Sequence, residues 1–326
     1  MTKSLTGILP AVITPTGPDS AFAPEAFEQL LHHLYQAGVQ GVYVCGQTGE
    51  GHSQSVHQRK AVAEAAVRFS PPDKLVIVQV GAHATADAVE LARHAAAAGV
   101  HAVSSLPPLG PYSFHEIRQY YETLAAATDL PLFVYHHPDL SPQLNPELVL
   151  QLCTIPRVAG LKYTDYDLYG LSTLRHSGAL VFNGRDEVLA AGLLMGATGG
   201  IGAFYNIFPE TFVRIYALTR EGRWAEAASL QRALNIVLRI IFRYPLVPAI
   251  RTVLARVGIA CGEAIEPRGR LTASEKDQLW ASVQKGCAET GIPVAGMEVH
   301  TNPSAVLGNV PSDGILAPHT AETGKR

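Results

Sequence analysis

The sequence predicts an α/β fold, a (β/α)8 TIM barrel followed by a C-terminal α-helical domain. Eight short β-rich runs alternate with helical patterns between residues 8 and 204, several of these runs are continuously apolar, and the later pattern is helical only. Parallel strands buried on both faces have continuously apolar sequences, and eight β/α units are typical of a closed barrel. An open doubly wound sheet is the alternative, because the number of strands does not by itself show closure.

The predicted strands are eight segments rich in β-forming residues. They are ILPAVITP (8–15), VYVCG (42–46), LVIVQVG (75–81), AVSSLPP (102–108), PLFVYH (131–136), AGLKYT (159–164), LVFNGR (180–185) and GGIGAF (199–204). Helix signals lie between them. Asn145 followed by Pro146 is a typical helix start, with the asparagine as the cap and the proline in the first turn. Thr85 is predicted to cap a helix that ends at Gly99.

The domain organisation follows from the point where this alternation stops. We expect a barrel domain over residues 1–221, a helical C-terminal domain over residues 222–290 and a flexible tail over residues 291–326. Thr272 and Glu275 form the predicted capping box of the last helix. The tail is rich in Pro, Gly, Ser and Thr and lacks periodicity, which is typical of a segment without a packed core.

The composition argues against several classes of partner. The chain has 326 residues, of which 47% are hydrophobic and 16% charged, and its formal net charge is -3. It has no basic excess for binding nucleic acid or an anionic membrane, so we expect neither partner.

The four cysteines lie far apart without a C-x-x-C pair, and no run reaches the roughly 18 apolar residues of a membrane span. We therefore expect a cytoplasmic protein without a signal peptide.

A lysine inside an apolar strand is the first candidate for chemistry. Gly160, Lys162 and Thr164 share one face of the sixth predicted strand, near its C-terminal end, where barrel active sites lie. A buried ammonium group costs several kcal/mol unless it is paired or loses its proton. Tyr135 ends the fifth strand, and it can face Lys162 because neighbouring strands lie about 4.8 Å apart.

This pair of side chains suggests a mechanism. A neutral lysine amine attacks a ketone to form a Schiff base, whose iminium accepts electrons from the adjacent carbon–carbon bond. Tyr135 would then move the protons. The alternative is that Lys162 extends to the surface at the end of its strand, as most lysines do.

Two loops are candidate binding segments. GQTGEG (46–51) presents backbone N–H groups that, together with Thr48, can hold a carboxylate; the alternative is a plain turn between strand and helix. In NGRDE (183–187), Asp186 and Glu187 either accept hydrogen bonds from sugar hydroxyls or form the cap and first-turn acid of the next helix. The adjacent histidine pairs lack an H-E-x-x-H motif, so we expect no metal site.

Together these segments resemble the N-acetylneuraminate lyase and dihydrodipicolinate synthase family of class I aldolases, from about residue 7 to residue 285. The resemblance is carried by GQTGE (46–50), the strand end at Tyr135, GLKYTD (160–165) and NGRDEVLAAGLLMGATGGIGAFYNI (183–207), in that order. It implies a (β/α)8 barrel with a helical C-terminal domain, usually assembled as a homotetramer.

The resemblance also implies roles for individual residues. Lys162 is the Schiff-base lysine and Tyr135 the proton-transfer residue. Thr48, with Gln47 and the neighbouring amides, holds the pyruvate carboxylate. The implied ligands are a keto acid and a sugar acid, and the lysine imine with pyruvate takes the place of a separate cofactor.

Within the family, the lyase branch is the better match. The positions that match Thr164, Gly184, Asp186 and Glu187 bind the hydroxylated part of the sugar acid in lyases. Dihydrodipicolinate synthases carry an arginine for the carboxylate of their aldehyde substrate where this chain has Leu140. A leucine cannot bind a carboxylate, which weakens the synthase hypothesis.

Three positions depart from the family pattern. Gln47 stands where a Ser or Thr is usual and removes a hydroxyl from the proton relay. Gly110 falls near the place of a tyrosine that many bacterial members contribute to a neighbouring subunit's site, and Tyr112 is the candidate to take its place. Ala203 replaces a serine that lyases direct towards the substrate's polyol tail.

The leading hypothesis is a pyruvate-dependent aldolase, or lyase, that reversibly cleaves a 2-keto-3-deoxy sugar acid, with N-acetylneuraminate as the first candidate. One alternative is a dehydratase or aldolase of another 2-keto-3-deoxy acid, or a dihydrodipicolinate synthase-like enzyme. A different class of protein, a non-catalytic sensor that binds keto acids, stays open because of Gln47.

Overall fold

This computed structural model describes residues 4–294, in which eight strands alternate with eight α-helices as far as Arg220 and three further α-helices follow. The strands are β1 (Gly7–Pro10), β2 (Gly41–Val44), β3 (Leu75–Gln79), β4 (Ala102–Ser105), β5 (Leu132–His136), β6 (Val158–Tyr163), β7 (Leu180–Asn183) and β8 (Gly199–Gly202). All eight predicted strands are present, several of them shorter than predicted.

The helices cover the outside of the sheet and then continue beyond it. They are α1 (Pro24–Gln36), α2 (Val56–Phe69), α3 (Thr85–Ala98), α4 (Phe114–Ala127), α5 (Pro146–Leu152), α6 (Leu168–His176), α7 (Leu189–Leu194), α8 (Pro209–Arg220), α9 (Trp224–Ile241), α10 (Leu246–Arg256) and α11 (Ala273–Thr290).

The sheet closes into a barrel. Its strands are ordered β1-β8-β7-β6-β5-β4-β3-β2, and every neighbouring pair is parallel. A parallel bridge between Ala11 and Tyr43 joins the two ends, and Val12 N donates to Tyr43 O at 2.9 Å. The TIM-barrel prediction is therefore confirmed, and the open-sheet alternative is wrong.

Two of the three helix starts predicted from the sequence are confirmed by the structure. Asn145 caps α5 as predicted, since its side chain accepts a hydrogen bond from Leu148 N at 2.9 Å. The predicted capping box of Thr272 and Glu275 is present at the start of α11. The prediction for Thr85 is wrong. Ala84 has the extended backbone of the cap residue, so Thr85 already lies in the first turn and makes no capping bond.

Apolar side chains fill the inside of the barrel as well as the layer between strands and helices. The interior cluster includes Tyr43, Ile77, Phe133, Phe182 and Ile201, all almost completely buried. A larger cluster packs the outer faces of the strands against the helices. Because the barrel is a packed core and not a channel, chemistry can take place only at its C-terminal end.

The C-terminal helices pack against the barrel and reach two of its loops. Leu234, Val237 and Ile241 form the buried stripe of α9, and side chains of α9 and α10 bond to segments that follow β7 and β2. Within residues 4–294, no single helix has the length and apolar content to cross a membrane; α9 and α10 satisfy that criterion only as a pair bent by 106°. Most of the predicted tail, residues 295–326, lies outside the described residues.

Candidate active site

Lys162 and Tyr135 meet inside the barrel, as their positions on neighbouring strands predict. They are register partners of β5 and β6, and Lys162 Nζ lies 4.1 Å from the centroid of the Tyr135 ring. Lys162 is only 4% exposed, so the alternative in which its side chain extends to the surface is wrong. Among residues 4–294, no carboxylate lies within ion-pair distance of this amine.

A second tyrosine completes the surroundings of the lysine. The centroid of the Tyr43 ring, on β2, lies 4.7 Å from Lys162 Nζ, and its hydroxyl donates to Ser104 Oγ at 3.2 Å. The rings of Tyr43 and Tyr135 pack edge to face at 6.1 Å between centroids. Sequence analysis missed Tyr43. The only signal in the sequence is a polar aromatic residue within an apolar strand. Its strand, β2, lies four strands before β6 in chain order, and only barrel closure brings the two side chains together.

The predicted carboxylate-binding loop follows β2 at the same end of the barrel. Thr48 is buried and Gln47 half-buried in a turn that runs from Cys45 to Glu50. Gly51 ends this loop where a Cβ would lie 1.9 Å from Cys45 O, so only glycine fits there. The loop is therefore a tightly built turn with Thr48 inside it.

A buried ion pair anchors this loop to the C-terminal helices. Glu50 has a left-handed backbone, with φ 55°, which costs a non-glycine residue about 1–3 kcal/mol. Its carboxylate lies 2.6 Å from Arg251 of α10 and accepts a second bond from Ile265 N at 2.8 Å. Arg251 also donates to Thr14 O at 2.9 Å. The helical domain therefore holds the binding loop in place.

We expect Arg251→Met to lower the free energy of unfolding by about 3 kcal/mol, the lower end of the usual cost of breaking a buried pair, because the buried Glu50 carboxylate keeps only the more distant and partly exposed Arg268, 3.5 Å away, as a cationic partner. Urea unfolding measures this loss. Arg256→Met is the matched control on the same helix, since Arg256 pairs with Asp277 in solvent and such pairs contribute about 0–1 kcal/mol. Equal losses in the two variants would contradict a special role for the buried pair.

Asp186 follows β7 and occupies a buried position of its own. It is 4% exposed, and its Oδ2 accepts a hydrogen bond from Phe204 N at 2.7 Å, while its Oδ1 is buried without a hydrogen-bond partner. The alternative in which Asp186 caps the next helix is wrong. A 3-10 turn over Asp186–Val188 precedes α7, and the aspartate bonds instead to the loop that follows β8.

The Asp186 carboxyl holds its proton more tightly than a free aspartate. Burial, followed by the charge of Glu187, raises its pKa from 3.8 to about 7, and the Phe204 amide acts in the opposite direction. A carboxyl with a higher pKa in the folded state binds more protons there than in the unfolded state. The free energy of unfolding therefore falls as the pH rises from about 4 to about 7, and this contribution is constant outside that window.

We expect Asp186→Asn to remove this pH dependence, because the amide cannot ionise and can still accept from Phe204 N. The free energy of unfolding of the variant, minus that of the parent chain, should therefore increase as the pH rises through the window. Urea unfolding of both proteins across the window tests it. A difference that does not change with pH would show that Asp186 has the pKa of a free aspartate.

The remaining predicted site residues cluster at the ends of β6 and β7. Thr164 is 6% exposed, and its hydroxyl is buried without a hydrogen-bond partner. A Cβ on Gly184 would lie 2.2 Å from Thr164 Oγ1, so the two residues are in direct contact. Glu187 is half-buried, and its carboxylate accepts a hydrogen bond from Tyr166 OH. Their binding roles stay predictions.

The three departures from the family pattern also have defined places. Gln47 offers its backbone carbonyl to Arg268 at 3.4 Å. Gly110 has φ 149°, and a Cβ there would lie 2.9 Å from the Tyr112 ring. Ala203 precedes the Phe204 amide that bonds to Asp186.

A (β/α)8 barrel that buries a lysine between tyrosine rings at its C-terminal end has the architecture of an aldolase, an enzyme of the lyase class. The model of the family described as the dihydrodipicolinate synthetase family matches residues 4–286. The chain belongs to this family.

Relatives and solved structures of known name agree with this placement. The N-acetylneuraminate lyase of Rhizobium meliloti (strain 1021) is 34% identical over 267 residues, which cover 81% of this chain and 89% of the relative. A solved structure of the Ruminococcus gnavus sialic acid aldolase, a catalytic lysine mutant, has a TM-score of 0.83 at 27% identity and covers 87% of this chain and 97% of its own. A prophage protein of E. coli K12 from the dihydrodipicolinic acid synthase family was solved in complex with pyruvate. It has a TM-score of 0.82 at 27% identity, and the match covers 86% of this chain and 98% of that protein.

Proposed function

We propose that this protein is a pyruvate-dependent class I aldolase that reversibly cleaves a 2-keto-3-deoxy sugar acid through an imine on Lys162. N-acetylneuraminate is the leading candidate substrate, because similar proteins are named as its lyases. The observation that carries the proposal is the burial of Lys162 at 4% exposure against the rings of Tyr43 and Tyr135.

The surroundings of Lys162 suit each stage of this reaction. A neutral amine attacks the keto carbon of the substrate, water leaves, and an iminium cation forms. The faces of the Tyr43 and Tyr135 rings stabilise that cation, since aromatic faces attract positive charge. No carboxylate competes for the amine among residues 4–294, so the lysine is available for covalent chemistry.

Carbon–carbon cleavage then needs one proton to be moved. Tyr135 gives its O–H proton to the water that leaves as the iminium forms, so its phenolate then accepts the proton of the substrate hydroxyl on the carbon that becomes the aldehyde. The electron pair of the breaking bond flows to the iminium nitrogen, and the proton held by Tyr135 is the one that the enamine takes up. The aldehyde leaves, the resulting enamine takes a proton at carbon, and water hydrolyses the imine to release pyruvate and free Lys162. Thr48, Gln47 and the amides after β2 hold the pyruvate carboxylate, while Thr164, Gly184, Asp186 and Glu187 contact the hydroxylated part.

Release of pyruvate from a panel of keto-deoxy acids tests the proposal. The panel contains N-acetylneuraminate, 2-keto-3-deoxygluconate and, in the direction of synthesis, pyruvate with aspartate semialdehyde. We expect pyruvate from at least one sugar acid and no condensation with the semialdehyde, because Leu140 offers that substrate's carboxylate no cation. A chain that binds pyruvate but cleaves or condenses nothing would be the keto-acid sensor.

A shorter 2-keto-3-deoxy acid is the second candidate substrate. Ala203 supplies no hydroxyl for a long polyol tail, and the Glu187 carboxylate is already bonded to Tyr166.

We further propose that the enzyme is a cytoplasmic homotetramer. The free cysteines within residues 4–294 suit a reducing compartment, and the resemblance to the family supports the assembly.

A further inference from the structure

His137 is a mostly buried histidine beside Tyr135 that the proposed reaction does not use. It follows β5 two residues after Tyr135, so the two side chains lie on the same face of the chain, and their ring centroids are 6.1 Å apart. The preceding His136 faces the opposite way. Its ring stacks on Tyr163 at 5.1 Å between centroids, and its Nε2 lies 3.3 Å from Asp165 Oδ2. Of these two adjacent histidines, only His137 shares the face of Tyr135 inside the barrel.

The His137 side chain has a buried polar atom without a partner. Within residues 4–294 its Nδ1 makes no hydrogen bond, and Asp139 Oδ2, 3.7 Å away, is too distant to accept one. Burial, followed by the charges of Arg185 and Lys162, lowers the pKa of the imidazole to about 4, so the ring is neutral at physiological pH. A neutral imidazole offers one donor and one acceptor. Such an unpaired atom is a candidate partner for a bound ligand.

Packed rings determine the direction in which a bound acid extends from Lys162. Phe133 is the register partner of Gly160, which lies two residues before Lys162 in β6. Its ring lies 5.6 Å from that of Phe182, between centroids, and both rings are almost completely buried. They fill the interior on the N-terminal side of the lysine. The carbons of a substrate held on Lys162 therefore extend towards the C-terminal ends of the strands.

His137 continues the face of Tyr135 in that direction. Two residues span about 6.6 Å along a strand, so the imidazole lies one period nearer to the open end of the barrel than the Tyr135 ring. Tyr135 is proposed to accept the proton of the hydroxyl at the bond that breaks. The groups beyond that bond are therefore those that come within reach of His137. Thr164 and Gly184, proposed to bind the same part of the substrate, follow the neighbouring strands β6 and β7 directly.

From this arrangement we infer that His137 is a further substrate-contacting residue, whose imidazole forms a hydrogen bond with the polar group on the first carbon beyond the cleaved bond. That group is an amide in N-acetylneuraminate and a hydroxyl in 2-keto-3-deoxygluconate, and an imidazole with one donor and one acceptor pairs with either. A keto acid without such a group leaves Nδ1 unpaired, so His137 determines specificity. This inference rests on the proposed aldolase function and names a group that its substrate carries.

His137→Leu should raise the KM for N-acetylneuraminate or 2-keto-3-deoxygluconate about five- to tenfold and leave kcat nearly unchanged. A hydrogen bond made equally in the ground state and the transition state contributes to binding alone. His137→Gln keeps a donor and an acceptor, so it should recover part of the loss. The turn after β5 should stay folded in these variants, because the His137 backbone carbonyl accepts the bonds from Leu140 N at 2.9 Å and Ser141 N at 3.0 Å.

His94→Leu is the matched control. The His94 side chain is also mostly buried, at 22% exposed, but it pairs with Glu64 at 2.8 Å between α2 and α3, on the outside of the barrel. Its KM should equal that of the parent chain. His137→Ala provides the same test as His137→Leu where leucine does not fit the site.

Two results would overturn the inference. One is an unchanged KM in the His137 variants; the other is a fall in kcat at unchanged KM, which would make His137 a proton carrier and not a contact of the tail. Borohydride trapping of pyruvate on Lys162 is measured in every protein, because pyruvate has no group beyond the cleaved bond. Intact trapping with an unchanged KM removes the His137 contact alone, whereas a parent chain without trapping removes the proposed function and the contact together.

Discussion

Replacing Lys162 with alanine should abolish the release of pyruvate from every substrate. It should also abolish the covalent label that pyruvate and borohydride together leave on the parent chain. The reason is that the imine requires an amine, and Lys162 is the amine buried at the active end of the barrel. Lys162→Arg should be equally inactive, since a guanidinium keeps its charge and is not an amine nucleophile. Peptide mass spectrometry after reduction locates the label.

A surface lysine provides the control for this experiment. Lys60 forms an exposed ion pair with Glu90 at 2.5 Å, so Lys60→Ala should keep both activity and labelling. A label on any peptide other than that of Lys162, or trapping that survives in Lys162→Ala, would contradict the mechanism. Trapping on Lys162 without pyruvate release from any sugar acid would instead identify the sensor.

Replacing Tyr135 with phenylalanine should lower turnover by about 10²–10⁴-fold, the usual effect of losing a positioned acid or base. The variant keeps the ring that packs 4.1 Å from Lys162 Nζ, and it loses only the hydroxyl that carries the proton. Imine trapping with pyruvate should therefore persist. Steady-state pyruvate release and borohydride trapping, measured on the same preparation, separate the two roles.

Tyr43→Phe is the matched control for Tyr135→Phe. The Tyr43 hydroxyl is engaged by Ser104 at 3.2 Å, so its loss should cost much less turnover while the ring near Lys162 stays. Near-normal turnover in Tyr135→Phe would assign the proton transfers to another group. His137 is then the first suspect, because burial, followed by the charges of Arg185 and Lys162, lowers its pKa to about 4 and keeps its imidazole neutral at physiological pH.

The parts of this protein that could be predicted from the sequence are those that local pattern determines. Runs of β-forming residues, several of them continuously apolar, identified all eight strands, because parallel strands buried on both faces favour apolar side chains. The two-residue period of a strand placed Lys162 and Tyr135 on faces that meet, and their register pairing in β5 and β6 agrees. The capping signals at Asn145 and Thr272 also predicted two helix starts correctly, because the donor and the acceptor of each capping bond lie only three residues apart.

Contacts between distant segments were decided only by the tertiary structure. Glu50 and Arg251 are 201 residues apart, and nothing in the pattern around either residue indicates the other. Asp186 has the sequence of a helix cap, yet barrel closure places the Phe204 amide beside it, and that bond replaces the cap. Arg185 bonds to Asp139 across 46 residues in the same way. The sequence by itself determined the eight β/α units and the strand position of Lys162, because both depend on local periodicity, whereas the closure of the sheet and the burial of that lysine were decided by the tertiary structure. Which polar groups surround the substrate was decided by barrel closure and helix packing, because hydrogen bonds and ion pairs form between whichever side chains the fold brings within about 3 Å.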